Sequence, residues 1–279
     1  MTGMAFRRSR DAVVVAGPDA EDYLQGQLSQ EVVGLSEGRS AWSFVLAPSG
    51  KVDAWLRVSR RSADEFILDL DDGFAGKLVA RLQRFMVRTR CEVEPLDWQM
   101  LTVVGIDPQA PEGGLAIPLD WPRLVAVDLL GPLVDPPSGL VISEKAEWER
   151  HRIMAGIPAM GAELDERTIP AATGVLDRSV SFTKGCYTGQ ELVARIDSRS
   201  AATPTRLVRV EGRLEGETQL PPVGSNLELE DVQVGRLTSV AAADSGFVAL
   251  AYVKRAVNLP SEALLSWAEG REIVALLAD

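Results

Sequence analysis

The run Lys184-Gly185-Cys186-Tyr187-Thr188-Gly189-Gln190-Glu191 sets a thiol between two glycines, with a cation before it and a carboxylate after it. A structural cysteine usually sits in an apolar run, where nothing stabilises its thiolate. Here Lys184 and, further on, Arg195 are cations able to lower a nearby thiol's pKa. Gly185 and Gly189 lack a Cβ, so the backbone turns tightly or approaches a ligand closely at both. A helix beginning at Gln190 and running through Arg195 would bring its free amides toward Cys186, where negative charge is favoured. Such a thiol serves as a nucleophile, as a redox-sensitive group, or as a single ligand to a metal centre held by a partner. The plainer reading, a glycine-bounded turn that happens to carry a cysteine, accounts for fewer of the eight residues.

The rest of the composition narrows the chemistry. The chain has 279 residues, enough for two or three compact units. Its two cysteines, Cys91 and Cys186, and its one histidine, His151, give no disulfide framework, zinc spacing or His pair. His151 falls in an expected helix and reads as a packing or surface residue. A net charge of −11 argues against nonspecific nucleic-acid binding, so no direct nucleic-acid partner is expected. The cluster Arg81, Arg84, Arg88 and Arg90 reads as a solvated helix face and strand start. Residues 1–10 carry three arginines and no apolar signal region, and the later apolar runs are too short to span a bilayer. The expected location is the cytoplasm, with no membrane partner.

Period-two patterns predict strands over 12–16, 41–47, 52–59, 65–70, 90–96, 99–106 and 124–130. Alternation along 52–59 puts Val52, Ala54, Leu56 and Val58 on one face, with Asp53, Trp55 and Arg57 on the other. Helices are predicted after Pro18-Asp19, over 74–86, and from a Ser143 cap through Trp148 to Ala155, where Gly156 and Pro158 stop it. Residues 160–183 read as ordered loop around the octet. Short β-prone runs at 207–210, 226–230, 234–240, 247–253 and 273–277 fit a small barrel or sandwich. The fold class is α+β, with expected units at 1–98, 99–200 (carrying the Cys186 motif) and 201–279.

The octet resembles the signature of the YgfZ-type folate-binding proteins, relatives of the aminomethyltransferase (T-protein) of the glycine cleavage system. Further elements follow in the same order: Gly17-Pro18-Asp19-Ala20, Tyr23 through Leu28, the turn Pro48-Ser49-Gly50-Lys51, Arg152-Ile153 with Ala155 through Pro158, and Val180 through Arg195. The resemblance implies a cloverleaf of mixed units around a central cleft, with the C-terminal barrel as one leaf. It implies tetrahydrofolate or a one-carbon derivative as cofactor, and iron–sulfur proteins, including tRNA-modifying enzymes, as the systems served. Cys186 would be the working thiol and Lys184 the residue that tunes it. Glu191 would accept hydrogen bonds from the pterin, or serve only as a helix-start carboxylate; Arg195 would pair with Glu191 or meet the folate's glutamate tail. Tyr187 would stack on the heterocycle or simply pack, and Gln190 completes the cofactor-binding set, with Gly185 and Gly189 shaping the backbone.

Two departures bear on the alternatives. The aminomethyltransferase carries Gly, two apolar residues and two aspartates after the position matching Gly50, whereas this chain has Lys51, Val52, Asp53, Ala54 and Trp55. A one-residue displacement on a strand reverses the face, so Asp53 does not simply inherit a catalytic role, and one-carbon transfer by Asp53 or Glu191 becomes the alternative activity. A noncatalytic folate sensor or scaffold is a second alternative. Beyond the octet, Arg199 is followed by Ser200, Ala201 and Ala202 where YgfZ-type proteins commonly carry glycine and a further arginine; serine there would strain or reshape a positive-φ turn.

Overall fold

A computed structural model of the chain describes residues 3–198, 203–214, 219–268 and 270–278. The loop carrying Ser200 lies outside the described residues.

Alternating apolar residues build the first sheet from β2 (Arg10–Ala16), β3 (Ser40–Leu46), β4 (Val52–Ser62), β5 (Glu65–Asp71) and β6 (Glu92–Leu96), in the antiparallel order β3-β4-β5-β2-β6. One face is covered by α1 (Ala20–Gln27) and α2 (Ala75–Arg84), with Leu24, Leu78 and Leu82 packed on Val45, Ala54, Leu56 and Val58. The opposite face presents Phe44, Leu46, Val52 and Trp55 to a separate core. The expected alternation along β4 therefore fails at its start. Val45 pairs with Ala54 but Leu46 pairs with Val52, so Asp53 is the extra residue of a β-bulge. The bulge resets the parity. Val52 joins Trp55, while the Asp53 carboxylate turns to the helix side and accepts from Arg81 Nε of α2 at 3.1 Å.

The second sheet has the order β10-β1-β7-β9-β8, formed by β1 (Met4–Arg8), β7 (Gln99–Val104), β8 (Leu115–Trp121), β9 (Leu124–Gly131) and β10 (Ile142–Ser143). β1 was not visible in the sequence because its arginines resemble a surface tail, and it joins this sheet instead of the one its neighbours build. β8 was hidden by Pro118, which cannot donate to a ladder and is tolerated because β8 is an edge strand.

Buried charges lock the two sheets together. Arg57 Nε donates to Asp69 Oδ2 and its Nη1 to Asp128 Oδ2, both at 2.9 Å. Arg10 Nη2 reaches Asp69 at 2.8 Å, and Thr102 Oγ1 donates to Asp128. Asp69, Asp128 and Arg57 are all at most 2% exposed. Burial works against the charged form of Arg57, but the two carboxylates outweigh it and hold its pKa above the ordinary arginine value.

The helix expected over 143–155 is α3 (Lys145–Ala155). Its N-cap is Glu144 with no side-chain capping bond, not Ser143, and it ends at Gly156 in the left-handed region (φ 75°). Ser143 is instead the last residue of β10, where pairing with β1 at Phe6 holds it in extended backbone. Residues 160–183 are mostly irregular, as expected, with a 3-10 turn at Pro170–Ala172 and the short α4 (Leu176–Ser179); α5 (Gln190–Ser198) begins within the octet. The final unit is a closed barrel, β11 (Thr205–Arg213), β14 (Gly246–Lys254), β13 (Val232–Ala243), β12 (Asn226–Leu229), β15 (Ser261–Trp267) and β16 (Gly270–Leu277) in ring order. Closure leaves no free sheet edge. Arg152 of α3 ties the barrel to the rest, donating to Ser239 Oγ at 2.9 Å and to Glu163 at 3.1 Å. Among the described residues no helix is long and apolar enough to cross a membrane.

Candidate thiol loop and central cavity

The octet folds as a loop strapped to the end of α1. Ser181 N–H donates to the Ser29 carbonyl (3.0 Å) and Thr188 N–H to that of Gly26 (3.2 Å). Between them the Lys184 ammonium donates to the carbonyls of Gln25, Leu28 and Gln30, each at 2.8 Å. Three donors meet three acceptors just past a helix C-terminus, where cations are favoured. Burial pushes the Lys184 pKa down to about 8, with Glu31 acting in the opposite sense. The lysine expected to tune the thiol thus places its three donors on holding the loop. The run 23–28, quoted for the resemblance, supplies part of this cage.

The other side of the loop rests on the β3–β4 turn. Gly189 adopts φ 82°, and a Cβ there would lie 2.5 Å from the Ala47 carbonyl oxygen. Gly50, at φ 80°, faces it; a Cβ on Gly50 would lie 2.3 Å from Leu192 Cβ. The two segments meet this closely because both positions are glycine. Tyr187 is buried with Phe44, Leu46, Val52 and Trp55, which is the packing reading of its ring, and burial pushes its phenol up to about 12. Its N–H donates to Gln190 Oε1 at 3.0 Å, so that side chain fixes the entry into α5. Cys186 is left exposed with a free thiol, while Glu191 and Arg195 are exposed on α5. The other cysteine, Cys91, is buried, and burial raises its pKa. His151 packs its ring on Phe6 at 5.2 Å.

A cavity of about 320 Å³ lies where the two sheets meet α3. Its walls include Arg8, Trp42, Trp55, Asp71, Trp148 and Arg152; the octet residues are not among its lining. Trp42 and Trp55 stack at 4.3 Å, Trp55 Nε1 donates to Ser179 Oγ at 3.0 Å, and the Arg8 guanidinium lies 4.0 Å over the Trp148 ring. Asp71 accepts from Arg10 at 2.7 Å and from the Met160 N–H at 2.8 Å. Ligand pockets commonly span roughly 300–1,000 Å³, so this one is at the small end. Indole walls suit a flat heterocycle, a carboxylate suits its N–H edge, and guanidinium groups suit an anionic arm. Sequence reading missed Arg8, Trp42 and Trp148. The available signal was a tryptophan on each of two neighbouring strands, but pattern alone cannot say that their rings meet.

An antiparallel sheet, a mixed sheet and a closed barrel define the class: an α+β protein with the aminomethyltransferase fold. The glycine cleavage system aminomethyltransferase T of Bartonella henselae superposes on 99% of this chain and 85% of its own with a TM-score of 0.83, at 18% identity. No family model matches the chain. An uncharacterized protein of Haemophilus influenzae is 29% identical over 221 residues, 78% of this chain and 75% of the relative. The tRNA-modifying protein YgfZ of Vibrio atlanticus is 27% identical over 206 residues, 67% of this chain and 63% of the relative. The mitochondrial iron-sulfur cluster assembly factor IBA57 homolog of Pyricularia oryzae is 26% identical over 213 residues, 71% of this chain and 54% of the relative. In sequence the chain is similar to YgfZ-type proteins, and in fold to aminomethyltransferase T.

Proposed function

We propose that this chain is a cytoplasmic tetrahydrofolate-binding accessory protein that supports assembly or repair of iron–sulfur clusters and the enzymes that need them, tRNA-modifying ones included. The observation that carries the reading is the placement of Cys186: a free, exposed thiol at the tip of a loop whose every flank is anchored. Such a thiol meets a partner, a redox agent or a metal cargo without any rearrangement of the fold. The relatives named for tRNA modification and iron–sulfur cluster assembly supply the biological setting.

The cavity fits a folate in chemistry. Trp42 and Trp55 offer apolar walls for a pterin, Asp71 a carboxylate near its N–H edge, and Arg8 positive charge for the glutamate arm. When bound, tetrahydrofolate supplies a carrier for a one-carbon unit. Transferase chemistry at Asp53 is disfavoured because the bulge commits that carboxylate to Arg81 on the helix side of the sheet. Glu191 and Arg195, beside the thiol on α5, are better placed to meet a partner than to line the cavity.

Two measurements test the reading. Calorimetric titration with tetrahydrofolate should show saturable binding that Trp42→Ala weakens tenfold or more and Glu191→Ala leaves unchanged; the reverse order moves the ligand to the α5 face. In cells lacking the native gene, Cys186→Ser at equal abundance should fail to restore iron–sulfur enzyme activity, and full restoration would remove the thiol from the function.

A further inference from the structure

Residues 73–91 carry Lys77, Arg81, Arg84, Arg88 and Arg90 and no aspartate or glutamate, in a chain whose net charge is −11. Two of the five cations are committed within the fold, Arg81 to Asp53 and Arg90 to Asp19. Lys77, Arg84 and Arg88 have no ion pair among the described residues and are exposed. Lys77 and Arg84 border a second cavity, of about 590 Å³, between α2 and residues 160–166. Its floor includes Phe74, Leu164 and Ala54, the last on the helix side of β4 and so on the opposite face of the sheet from Trp55; Asp165 and Glu166 form the far wall. Just beyond Arg84, Phe85 and Val87 are exposed, Val87 at 75%.

We propose that this face of α2 is a docking surface for an acidic segment of a partner protein, with an apolar side chain seated in the cavity and flanking carboxylates on Lys77, Arg84 and Arg88. Charge complementarity selects the partner: a positive patch on a strongly negative molecule attracts anions at close range and repels them elsewhere. The apolar floor and the exposed Val87 suit a polypeptide, since protein interfaces join an apolar centre to a charged rim. A single-stranded nucleic acid fits less well, because it needs open aromatic faces for its bases. Of the two aromatics here, Phe74 lies in the cavity floor with the Lys77 ammonium 5.8 Å from its ring centroid, and Phe85 has the Arg81 guanidinium 4.0 Å over its ring. The carboxylates of Asp165 and Glu166 direct the partner's acidic groups to the α2 side. The surface depends on neither the thiol nor folate.

The test is fluorescence anisotropy on the full chain with two labelled probes, a twelve-residue peptide of glutamates flanking a Leu-Phe pair and a twelve-nucleotide oligouridylate. The peptide should bind saturably and more tightly than the oligonucleotide, and weaken as salt rises. Lys77→Glu/Arg84→Glu should weaken it tenfold or more, and Ala80→Trp, which fills the cavity without changing charge, should do the same. Thermal melts of each variant confirm folding, and Arg84→Gln replaces the double variant if that fails. Absence of saturable peptide binding, equal binding by the charge-reversed protein, or tighter binding of the oligouridylate would each overturn the proposal.

Discussion

Lys184 shows how a side chain read for chemistry also does mechanics. Its neighbourhood in sequence, with one residue between it and a cysteine, suggests a thiol-tuning cation; its ammonium is enclosed by three carbonyls. Hydrogen bonds to a charged group contribute about 1.5–3 kcal/mol each, and a buried acceptor left unpaired costs about 1–3 kcal/mol. Lys184→Met should therefore leave the rest of the fold intact and loosen residues 181–188, seen as at least tenfold faster amide exchange there. Lys184→Arg should not rescue it, because a planar fork cannot place three donors on this pyramid of acceptors. Unchanged exchange in the methionine variant would show that the contacts with Ser29 and Gly26 hold the loop alone.

At the scale of elements, the thiol loop and the β3–β4 turn are made for each other by a glycine on each side. Gly189→Ala would put a methyl group 2.5 Å from the Ala47 oxygen while forcing alanine to φ 82°. The left-handed conformation costs roughly 1–2 kcal/mol for a residue with a Cβ, and the clash adds to it. A loss of more than about 2 kcal/mol in urea unfolding is expected; near-neutral behaviour would mean the two segments separate freely. Gly189 and the helix start at Gln190 were legible in sequence, because positive φ and helix entry are local properties; Gly185, read the same way, has neither a positive φ nor any atom within 4 Å of where its Cβ would lie. The bulge at Asp53 was not. Its cause is a register shift against β3, and register belongs to a pair of strands.

For the whole molecule, the junction of the two sheets sets a buried charge network within apolar packing. Burial alone would raise the Asp128 pKa, yet Arg57 and then Arg8 hold it below the ordinary aspartate value. Asp128→Ala strips Arg57 of one of two buried partners, and breaking a buried pair typically costs about 3–5 kcal/mol. A drop of that size in denaturant unfolding is expected, together with cooperative loss of both sheets, since the arginine stands between them. A loss under about 1 kcal/mol would mean that Asp69 alone satisfies Arg57.

Sequence by itself determined the α+β class, most strands and helices, the β-rich end and the thiol motif, because hydrophobic period, glycine and helix-stop signals act over a few residues. Tertiary structure decided that β1 joins the second sheet, that Trp42 and Trp55 stack beside a cavity, and that Lys184 is caged by carbonyls while Cys186 stays free. Those outcomes depend on groups far apart in the chain, whose meeting is fixed only when strand register and sheet packing are complete.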